Sequence, residues 1–424
     1  MTPAGLGRRR WLARLKDARA EFARPGFARP RVAGGAVLAL VVVAGLVLAG
    51  FRSGSLRRPP APAARPAVPA VAPAWREVAV GAPRPGERFV LRDAVACGGR
   101  WFVVGAVVDA AEQTRPAAWS SRDGSAWVPL AVEAVTFYGR QNVLSSVACR
   151  QGRMAALGAK SGGAHGNPRV ATWRESTEGR LAEVTAPFEL FGGPQAVNVA
   201  RMDSGPGGWL VSGNRIKGAA VWVSPDAAGF TLVEGAPGLS SDARLETWAF
   251  DAVGAGGGWL VVGGELAAGR IDRDAVGWSS PDGRVWARVP STGTPAYEEL
   301  QRVALAGGVA VAVGLRGPQF GVWRHGGSGW SAVGGFGAVG PGGASGVRAL
   351  TAFGDRLFCV TTDGAEHALW VSADGGAAWR PVAAPVPLPA RAEQAVAAAG
   401  AGERLMLVVD DGVGGRLYSA ETGW

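Results

Sequence analysis

The chain has 424 residues, and its formal net charge of +10 comes from 41 arginines and 3 lysines set against 34 acidic residues. Residues 1–31 carry +7 and residues 52–72 carry +4, which leaves −1 for the remainder. A protein that binds nucleic acid places a basic patch on its folded domain. The near-neutral remainder therefore argues against nucleic acid as a partner.

Residues 32–51 form an apolar run without a charge, VAGGAVLALVVVAGLVLAGF. Twenty helical residues cover about 30 Å, the thickness of the hydrocarbon core of a bilayer. Nine basic residues precede the run and four follow it, a bias that keeps the N-terminus in the cytoplasm. We therefore predict an uncleaved signal anchor, a transmembrane helix that makes the membrane a partner. A cleaved signal peptide is the rival interpretation, although its apolar core is usually about 7–15 residues.

The segments on either side of the predicted helix have different compositions. In the basic cytoplasmic segment, residues 1–31, one helical face would carry Trp11, Leu15, Ala18 and Phe22. Such a helix could lie on an anionic membrane leaflet, and a disordered basic lead is an equal alternative. Residues 52–72 are rich in Pro, Ala and Arg. We expect an extended linker of roughly 60 Å that holds the next domain away from the membrane.

Residues 73–424 repeat one pattern. An aromatic residue followed by a short polar turn recurs every 45–56 residues, at Trp119, Trp173, Trp222, Trp278, Trp323, Trp370 and Tyr418. Short apolar runs rich in Val and Ala, separated by Gly, precede each aromatic and have the composition of strands. A unit of four antiparallel strands in about 40–50 residues is a propeller blade.

The last repeat stops at Trp424, where its fourth strand should begin. A matching segment stands at the other end of the domain, because AWREVAV at residues 74–80 resembles AWRPVAAP at residues 378–385. Unpaired sheet edges promote aggregation, so we predict that the N-terminal strand completes the last blade. The predicted fold is all-β, a seven-bladed propeller over residues 73–424 that follows one transmembrane helix.

The polar turns share a motif with the pattern S-x-D-x-G-x-x-W. Its copies are Ser372, Asp374, Gly376 and Trp379; Ser121, Asp123 and Trp127; Ser224 and Asp226; and Ser280, Asp282 and Trp286. In these residues the sequence resembles the Asp-box, or BNR-repeat, propellers, the superfamily of the sialidases, as a membrane-anchored bacterial member. The resemblance implies that Ser and Asp bond the turn backbone and that Trp packs between sheets. Because Ser and Asp favour such local bonds in any turn, we expect a structural role.

Cysteine and histidine give little sign of chemistry. Cys97 and Cys149 fall at the same place in the first strands of blades one and two, and Cys359 lies in blade six. Equivalent points on adjacent blades can exceed the roughly 7 Å Cα limit of a disulfide, so we expect three small buried thiols. A Cys97–Cys149 bridge is the alternative in an oxidising compartment. With three scattered histidines and no C-x-x-C, we predict neither a metal site nor a cofactor.

The two faces of the predicted disc differ. We expect the face with the short, similar Asp-box turns to be inert. The opposite face, which we call the loop face, carries longer and more varied segments, such as residues 265–276 and 292–299, and loops on a rigid scaffold often carry function.

The resemblance to sialidases implies three arginines for a substrate carboxylate, a Tyr–Glu nucleophile pair and an Asp acid. The matching candidates are Arg92, Arg302 and Arg348 near the start of first strands, with Tyr297, Glu298 or Glu299, and Asp272 on or beside loops. Arg201 has an uncertain register. The Arg-Ile-Pro motif of the family is absent, and salt bridges explain such residues more simply, so we assign no catalytic residue.

These observations predict a non-catalytic binding or scaffold module at the cell surface. The N-terminus would lie in the cytoplasm, and the extracytoplasmic propeller would contact a protein or glycan through its loop face. A sialidase-like glycoside hydrolase is the alternative, and an assembly factor for a membrane complex is a third hypothesis. Convergence of the three candidate arginines near Tyr297 and an aspartate would favour the enzyme.

Overall fold

The computed structural model describes residues 68–424, apart from residues 82–83, 162–167, 328, 342, 422 and 424. One compact unit spans Pro69–Trp424. The predicted basic segment, the predicted transmembrane helix and most of the predicted linker lie outside the described residues. No helix within the described residues has the length and apolar character needed to cross a bilayer.

Twenty-nine strands are described, and they form seven sheets. In chain order they are β1 (Arg76–Val78), β2 (Arg88–Cys97), β3 (Arg100–Val108), β4 (Thr114–Ser121), β5 (Val128–Pro129), β6 (Val132–Glu133), β7 (Val143–Arg150), β8 (Arg153–Lys160), β9 (Arg169–Glu175), β10 (Leu181–Val184), β11 (Ala196–Gly205), β12 (Gly208–Arg215), β13 (Gly218–Ser224), β14 (Thr231–Val233), β15 (Leu245–Ala255), β16 (Gly258–Ala267), β17 (Asp274–Ser280), β18 (Ala287–Pro290), β19 (Glu298–Ala306), β20 (Val309–Arg316), β21 (Gln319–Gly326), β22 (Gly329–Phe336), β23 (Gly346–Phe353), β24 (Arg356–Thr362), β25 (His367–Ser372), β26 (Arg380–Val382), β27 (Ala395–Ala401), β28 (Arg404–Asp410) and β29 (Gly415–Glu421). Two short helices, a 3-10 turn at Gly139–Gln141 and α1 at Phe188–Phe191, lie in links between blades.

The sheets are the seven blades of a propeller, as the sequence predicts. Blade one is β2–β5, blade two β7–β10, blade three β11–β14, blade four β15–β18, blade five β19–β22 and blade six β23–β26. Strand β6 adds a fifth, parallel strand to blade two. The first strand of each blade contacts the first strand of the next, and β27 contacts β2, so the first strands close a ring.

Blade seven combines the two ends of the domain. Its sheet order is β1-β29-β28-β27, with Glu77 opposite Tyr418 in an antiparallel pair. The predicted closure by the N-terminal strand is therefore confirmed. The domain also begins earlier than the predicted boundary at residue 73, because Val71 is buried and exchanges backbone hydrogen bonds with Pro381 and Ala383 of blade six.

The hydrophobic core lies between neighbouring sheets. The repeated aromatics all fall in third strands, and Trp173, Trp222, Trp278 and Trp323 are fully buried. Trp222 of blade three packs with Leu157 of blade two, and Trp278 of blade four packs with Leu210 of blade three. The spacing of these aromatics in the sequence therefore reflects one large side chain per junction.

A second contact repeats at every junction close to the axis. One polar side chain accepts a hydrogen bond from a backbone N–H in the first strand of the next blade. The acceptors are Asp93, Ser146, Asn214, Asp251, Gln301, Thr351 and Asp410, and the donors are Val147, Met202, Ala249, Val303, Val347, Gly400 and Leu91. The seven bonds are 2.7–3.1 Å long. They satisfy donors that would otherwise be buried without a partner.

The Ser-x-Asp turns are held by their own side chains. In blade six, Ser372 donates to Asp374 at 2.8 Å and accepts the N–H of Gly376, while the indole of Trp379 donates to the carbonyl of Gly376. The copies at Ser121, Asp123 and Trp127 and at Ser280, Asp282 and Trp286 repeat all three bonds. In blade three, Ser224 bonds Asp226, and Phe230 replaces the Trp.

The default expectation of three free thiols is wrong. Cys97 and Cys149 form a disulfide between the first strands of blades one and two, and their Cα atoms are 5.8 Å apart. First strands converge on the axis, so equivalent positions there are much closer than at the rim. Cys359 is free and buried, and burial raises the pKa of its thiol.

Replacing Asp410 with Ala should remove both the acceptor for the Leu91 N–H and the counter-ion of Arg92 at the seam between blades seven and one. We expect a loss of about 3 kcal/mol in the free energy of unfolding, measured by urea denaturation. Asp355→Ala, which changes an exposed carboxylate in the β23–β24 turn, is the matched control. Equal stability of the two variants would contradict the structural role of Asp410.

Alkylation of the denatured chain should label one cysteine before reduction and three after it. Because the bridge closes a segment of 52 residues, reduction should lower the free energy of unfolding by about 4 kcal/mol in the chain-entropy model. Peptide mapping identifies the labelled residues. Labelling of all three before reduction would show that the bridge does not form.

Candidate binding site at the axis and on the loop face

Local backbone irregularities position the axial side chains. The first strands of blades one to six each contain a β-bulge near their middle, and blade seven has none. A bulge places two residues of one strand opposite one residue of its partner and redirects a side chain. Arg92 and Arg348 are bulged residues, and Arg201 and Arg302 lie at the edge of a register shift.

Two of these four arginines have carboxylate partners. The Arg92 guanidinium lies 2.5 Å from Asp410, and it also donates to the carbonyls of Leu91 and Glu393. Arg201 bridges two blades, at 3.0 Å from Asp93 and 3.6 Å from Asp251. The same aspartates also accept the backbone hydrogen bonds between blades, so these ion pairs lie beside those bonds near the axis.

The other two arginines lack such partners. Arg302 donates to the backbone carbonyls of Gln301 and Arg348, and neither Arg302 nor Arg348 makes an ion pair within the described residues. Burial and the positive charge of Arg201 lower the pKa of Arg302 to about 10; Arg348 acts in the same direction, and the carboxylates of Asp251 and Asp93 oppose the shift. Burial lowers the pKa of His367, at the loop-face end of β25, and the charge of the exposed Arg348 adds to this effect. Positive charge is thus only partly balanced at this end of the axis.

Asp203 is a further ionisable group of the axial cluster. Burial raises its pKa to about 8, the negative charge of Asp251 adds to the effect, and the Ser204 N–H and Arg201 oppose it. Its carboxyl group is therefore mostly protonated at neutral pH. Asp203 consequently does little to neutralise Arg302 and Arg348.

A second cluster surrounds Tyr297, in the link between blades four and five. The Tyr297 hydroxyl donates to Glu299 at 2.7 Å and accepts from Arg273 at 3.1 Å. Arg273 also pairs with Glu299 at 2.8 Å and lies 4.0 Å above the ring of Trp248. Burial and the Glu299 carboxylate raise the pKa of Tyr297. This phenol is held in its neutral form, which is the opposite of an activated nucleophile.

The other predicted acids have separate surroundings. Glu298 is fully buried, where it accepts from Arg316 at 3.0 Å and from the hydroxyl of Thr294. Asp272 is half-buried in the loop before β17. Glu299, rather than Glu298, is therefore the carboxylate beside Tyr297.

The structure brings only some of the predicted residues together. Arg302 and Arg348 are neighbours, whereas Arg92 is bound to blade seven through Asp410. Within the described residues, no hydrogen bond or ion pair joins Arg92, Arg302 or Arg348 to Tyr297. The arginine that donates to the Tyr297 hydroxyl is Arg273.

Sequence reasoning missed Arg273 and the axial aspartates, and it left Arg201 in an uncertain register. The available signals were weak: an acidic residue follows Arg92 directly and Arg201 after one residue. That spacing does not indicate which blade supplies the partner of each arginine.

Comparison with known proteins finds similarities among solved structures alone. No protein-family model matches the chain, and no curated protein matches it. Among solved structures, the β-propeller domain of the Trilobed protease from Pyrococcus furiosus has a TM-score of 0.46 at 9% identity, covering 80% of this chain and 96% of that one. A Hadza microbial sialidase has a TM-score of 0.43 at 14% identity, covering 80% and 66%. A Trypanosoma rangeli sialidase in complex with sialic acid has a TM-score of 0.40 at 10% identity, covering 84% and 60%.

The difference in the free energy of unfolding between the Asp203→Asn variant and the parent chain should change as pH rises. The folded state holds the Asp203 proton up to about pH 8, whereas the unfolded state releases it near pH 4. The parent therefore loses stability from Asp203 between these values, and the variant does not. Urea unfolding at pH 5, 6.5 and 8, with Asp355→Asn as the control, measures the difference. An unchanged gap between Asp203→Asn and the parent at all three values would contradict the burial of this carboxyl.

Proposed function

We propose that this protein is a membrane-anchored member of the Asp-box propellers that acts as a non-catalytic binding module. Its ligand would be an acidic group on a protein or glycan, bound at the loop face near the axis. The observation that carries the proposal is the pair of adjacent arginines, Arg302 and Arg348, neither of which forms a direct ion pair within the described residues.

The electrostatics support an anion at this position. Burial and like charge make the protonated form of Arg302 less favourable than usual, so a carboxylate or sulfate between the two guanidinium groups would relieve the repulsion. A hydrogen bond to a charged group contributes about 1.5–3 kcal/mol. The scaffold is already rigid there, because Gln301 accepts the Val347 N–H beside both arginines.

The Tyr297 cluster supports the non-catalytic part of the proposal. A nucleophilic tyrosine needs a neighbour that removes its proton, yet Glu299 already receives bonds from Tyr297, Arg273 and Gln301. The hydrolase alternative rests on the single hydrogen bond between the phenol and Glu299. Release of the fluorophore from a fluorogenic sialoside, with loss of that release in Tyr297→Phe, would favour the hydrolase over the binding module.

The location is part of the same proposal and rests on the sequence. The apolar run at residues 32–51 and the excess of basic residues before it support an anchor with a cytoplasmic N-terminus. The Cys97–Cys149 bridge is consistent with an oxidising compartment outside the cytoplasm.

Changing Arg302 and Arg348 together to Gln should weaken binding of acidic ligands at least tenfold, about 1.4 kcal/mol. The assay uses the full chain in phosphatidylcholine nanodiscs with two probe pairs, sialyllactose against lactose and hexaglutamate against hexaglutamine. Titration calorimetry measures the affinity at low and physiological salt, since a charge-dependent contact weakens with salt.

Arg284→Gln is the matched control, because it removes an exposed arginine from the Asp-box face of blade four. The proposal predicts that the acidic member of at least one probe pair binds and that this control binds it like the parent chain. Equal affinity for acidic and neutral probes, or equal loss in the two variants, would contradict it.

A further inference from the structure

Three exposed aromatic side chains cluster on the loop face of blade two. Phe137 is 67% exposed, Tyr138 39% and Phe188 53%, and no other aromatic side chain within the described residues is as exposed as these. Phe137 and Tyr138 precede the 3-10 turn at Gly139–Gln141, and Phe188 begins α1. We call these three side chains, together with Arg169 at the start of β9, the aromatic patch. Single exposed apolar residues are ordinary on a protein surface, whereas a cluster of them marks an interaction site.

Arg169 joins the two aromatic segments. Its guanidinium carbon lies 5.4 Å from the centre of the Tyr138 ring and 4.3 Å from the centre of the Phe188 ring. The Phe137 ring packs edge-on to Tyr138, with 5.3 Å between the ring centres.

The hydrogen-bond donors of Arg169 are unused. The side chain makes no hydrogen bond and no ion pair within the described residues, and its Nε is buried without an acceptor. Buried donors normally have partners, so this guanidinium calls for an acceptor from a ligand. A planar guanidinium stacked on aromatic rings is suited to a carboxylate, which it can bind through two parallel N–H groups.

The backbone beneath the exposed rings is fixed. Glu183 accepts the N–H groups of Val135 and Thr136 and the hydroxyl of Thr136, which holds the segment before Phe137. Phe191, at the other end of α1 from Phe188, is buried and packs with Trp222 of blade three. Because both segments are already ordered, a partner that binds here orders little additional chain.

The other polar side chains around the aromatic patch are engaged by the protein itself. Asn142 donates to the carbonyl of Tyr138 and accepts from a buried indole, and Gln141 donates to the carbonyl of Phe137. Glu183 receives the three bonds described above. A sugar needs several placed polar groups for its hydroxyls. The aromatic patch instead suits a ligand that combines one anionic acceptor with apolar surface.

Positive charge exceeds negative charge around the aromatic patch. The cations are Arg169, Lys160, which stands opposite Arg169 in the pairing of β8 with β9, and Arg140 in the 3-10 turn. The carboxylates are Glu183 and Glu189, and within the described residues no ion pair joins any of these five side chains. Electrostatic binding to a lipid surface uses clusters of about 4–8 basic residues. Three cations, one of them stacked between rings, fit a single carboxylate on a protein better.

We propose that the aromatic patch docks a protein segment in which an acidic side chain stands beside apolar side chains. Arg169 binds the carboxylate, and the three rings contact the apolar neighbours. Tyrosine and arginine are among the residues that dominate the binding energy of protein interfaces, where surrounding apolar contacts exclude water from the charged pair. The aromatic patch contains neither Arg302 nor Arg348, so this proposal is independent of the axial acidic-ligand site.

The test is titration calorimetry with pentapeptides that carry one glutamate between two leucines, two phenylalanines or two tryptophans. Each is paired with a peptide that has glutamine in place of glutamate. The full chain, in phosphatidylcholine nanodiscs, carries Arg302→Gln and Arg348→Gln, so that binding at the axis does not contribute. We expect at least one glutamate peptide to bind with a dissociation constant in the millimolar range or tighter, and its glutamine partner to bind about tenfold more weakly.

Variants of the same chain assign the binding to the aromatic patch. Arg169→Gln should remove the preference for glutamate over glutamine, and Phe137→Ser with Phe188→Ser should weaken both kinds of peptide about tenfold. The matched controls are Arg122→Gln and Val285→Ser, which change an exposed arginine and an exposed valine on the Asp-box face and should leave the affinities unchanged. Near-ultraviolet circular dichroism verifies that each variant is folded.

Sedimentation with vesicles of phosphatidylcholine and phosphatidylserine tests the membrane as the alternative partner. Absence of binding by every glutamate peptide, equal affinity for glutamate and glutamine peptides, or an equal loss in Arg122→Gln and Arg169→Gln would overturn the proposal. Vesicle binding that depends on Phe137 and Phe188, without peptide binding, would overturn it in favour of a lipid surface. Because the axial arginines are already replaced, none of these results depends on the axial site.

Discussion

The antiparallel pairing of β1 with β29 is the constraint on which the rest of the structure depends. Blades are otherwise built from consecutive strands, so this pair is where the two ends of the domain share one sheet, which ties residue 76 to residue 419 and holds the ring of blades closed. The ring allows the first strands to face one axis. A side chain near the axis that accepts a backbone hydrogen bond then repeats at every junction between blades. At the junction of blades seven and one, Asp410 accepts the N–H of Leu91. Without closure, two first strands would expose backbone donors and apolar side chains.

The axial charges follow from the same ring. Asp93 and Asp251 serve two purposes, since each accepts a backbone N–H of the next blade and also contacts Arg201. At the junction of blades seven and one, Asp410 makes both contacts, since it pairs with Arg92 and also accepts a backbone N–H. Arg302 and Arg348 form no ion pair within the described residues, and Asp251 and Asp93 only partly offset the charge of Arg302, so the loop-face end of the axis is positive. The binding function that we propose uses this imbalance.

Much of the fold was predictable because its signals are local and repeated. One buried aromatic per third strand sets the blade count, and the likeness of residues 74–80 to residues 378–385 indicates the closing strand. Distances across the ring were not predictable in this way. The 5.8 Å between Cys97 and Cys149 depends on how closely first strands approach the axis, which periodicity does not give. The partners of Arg92 and Arg201 come from positions 318 and 108 residues away, and so did not follow from spacing. Tyr297 was correctly singled out as a phenol beside a carboxylate, but its raised pKa depends on burial.

The most direct measurement is cysteine cross-linking of the closing pair, at Arg76 and Ser419, which stand opposite each other in β1 and β29. In a chain carrying Cys359→Ala, the pair Arg76→Cys with Ser419→Cys should oxidise to an intrachain disulfide and raise resistance to urea. The pair Arg76→Cys with Arg416→Cys is out of register and should not. Equal cross-linking of the two pairs, or cross-links only between chains, would contradict a propeller closed by its N-terminal strand.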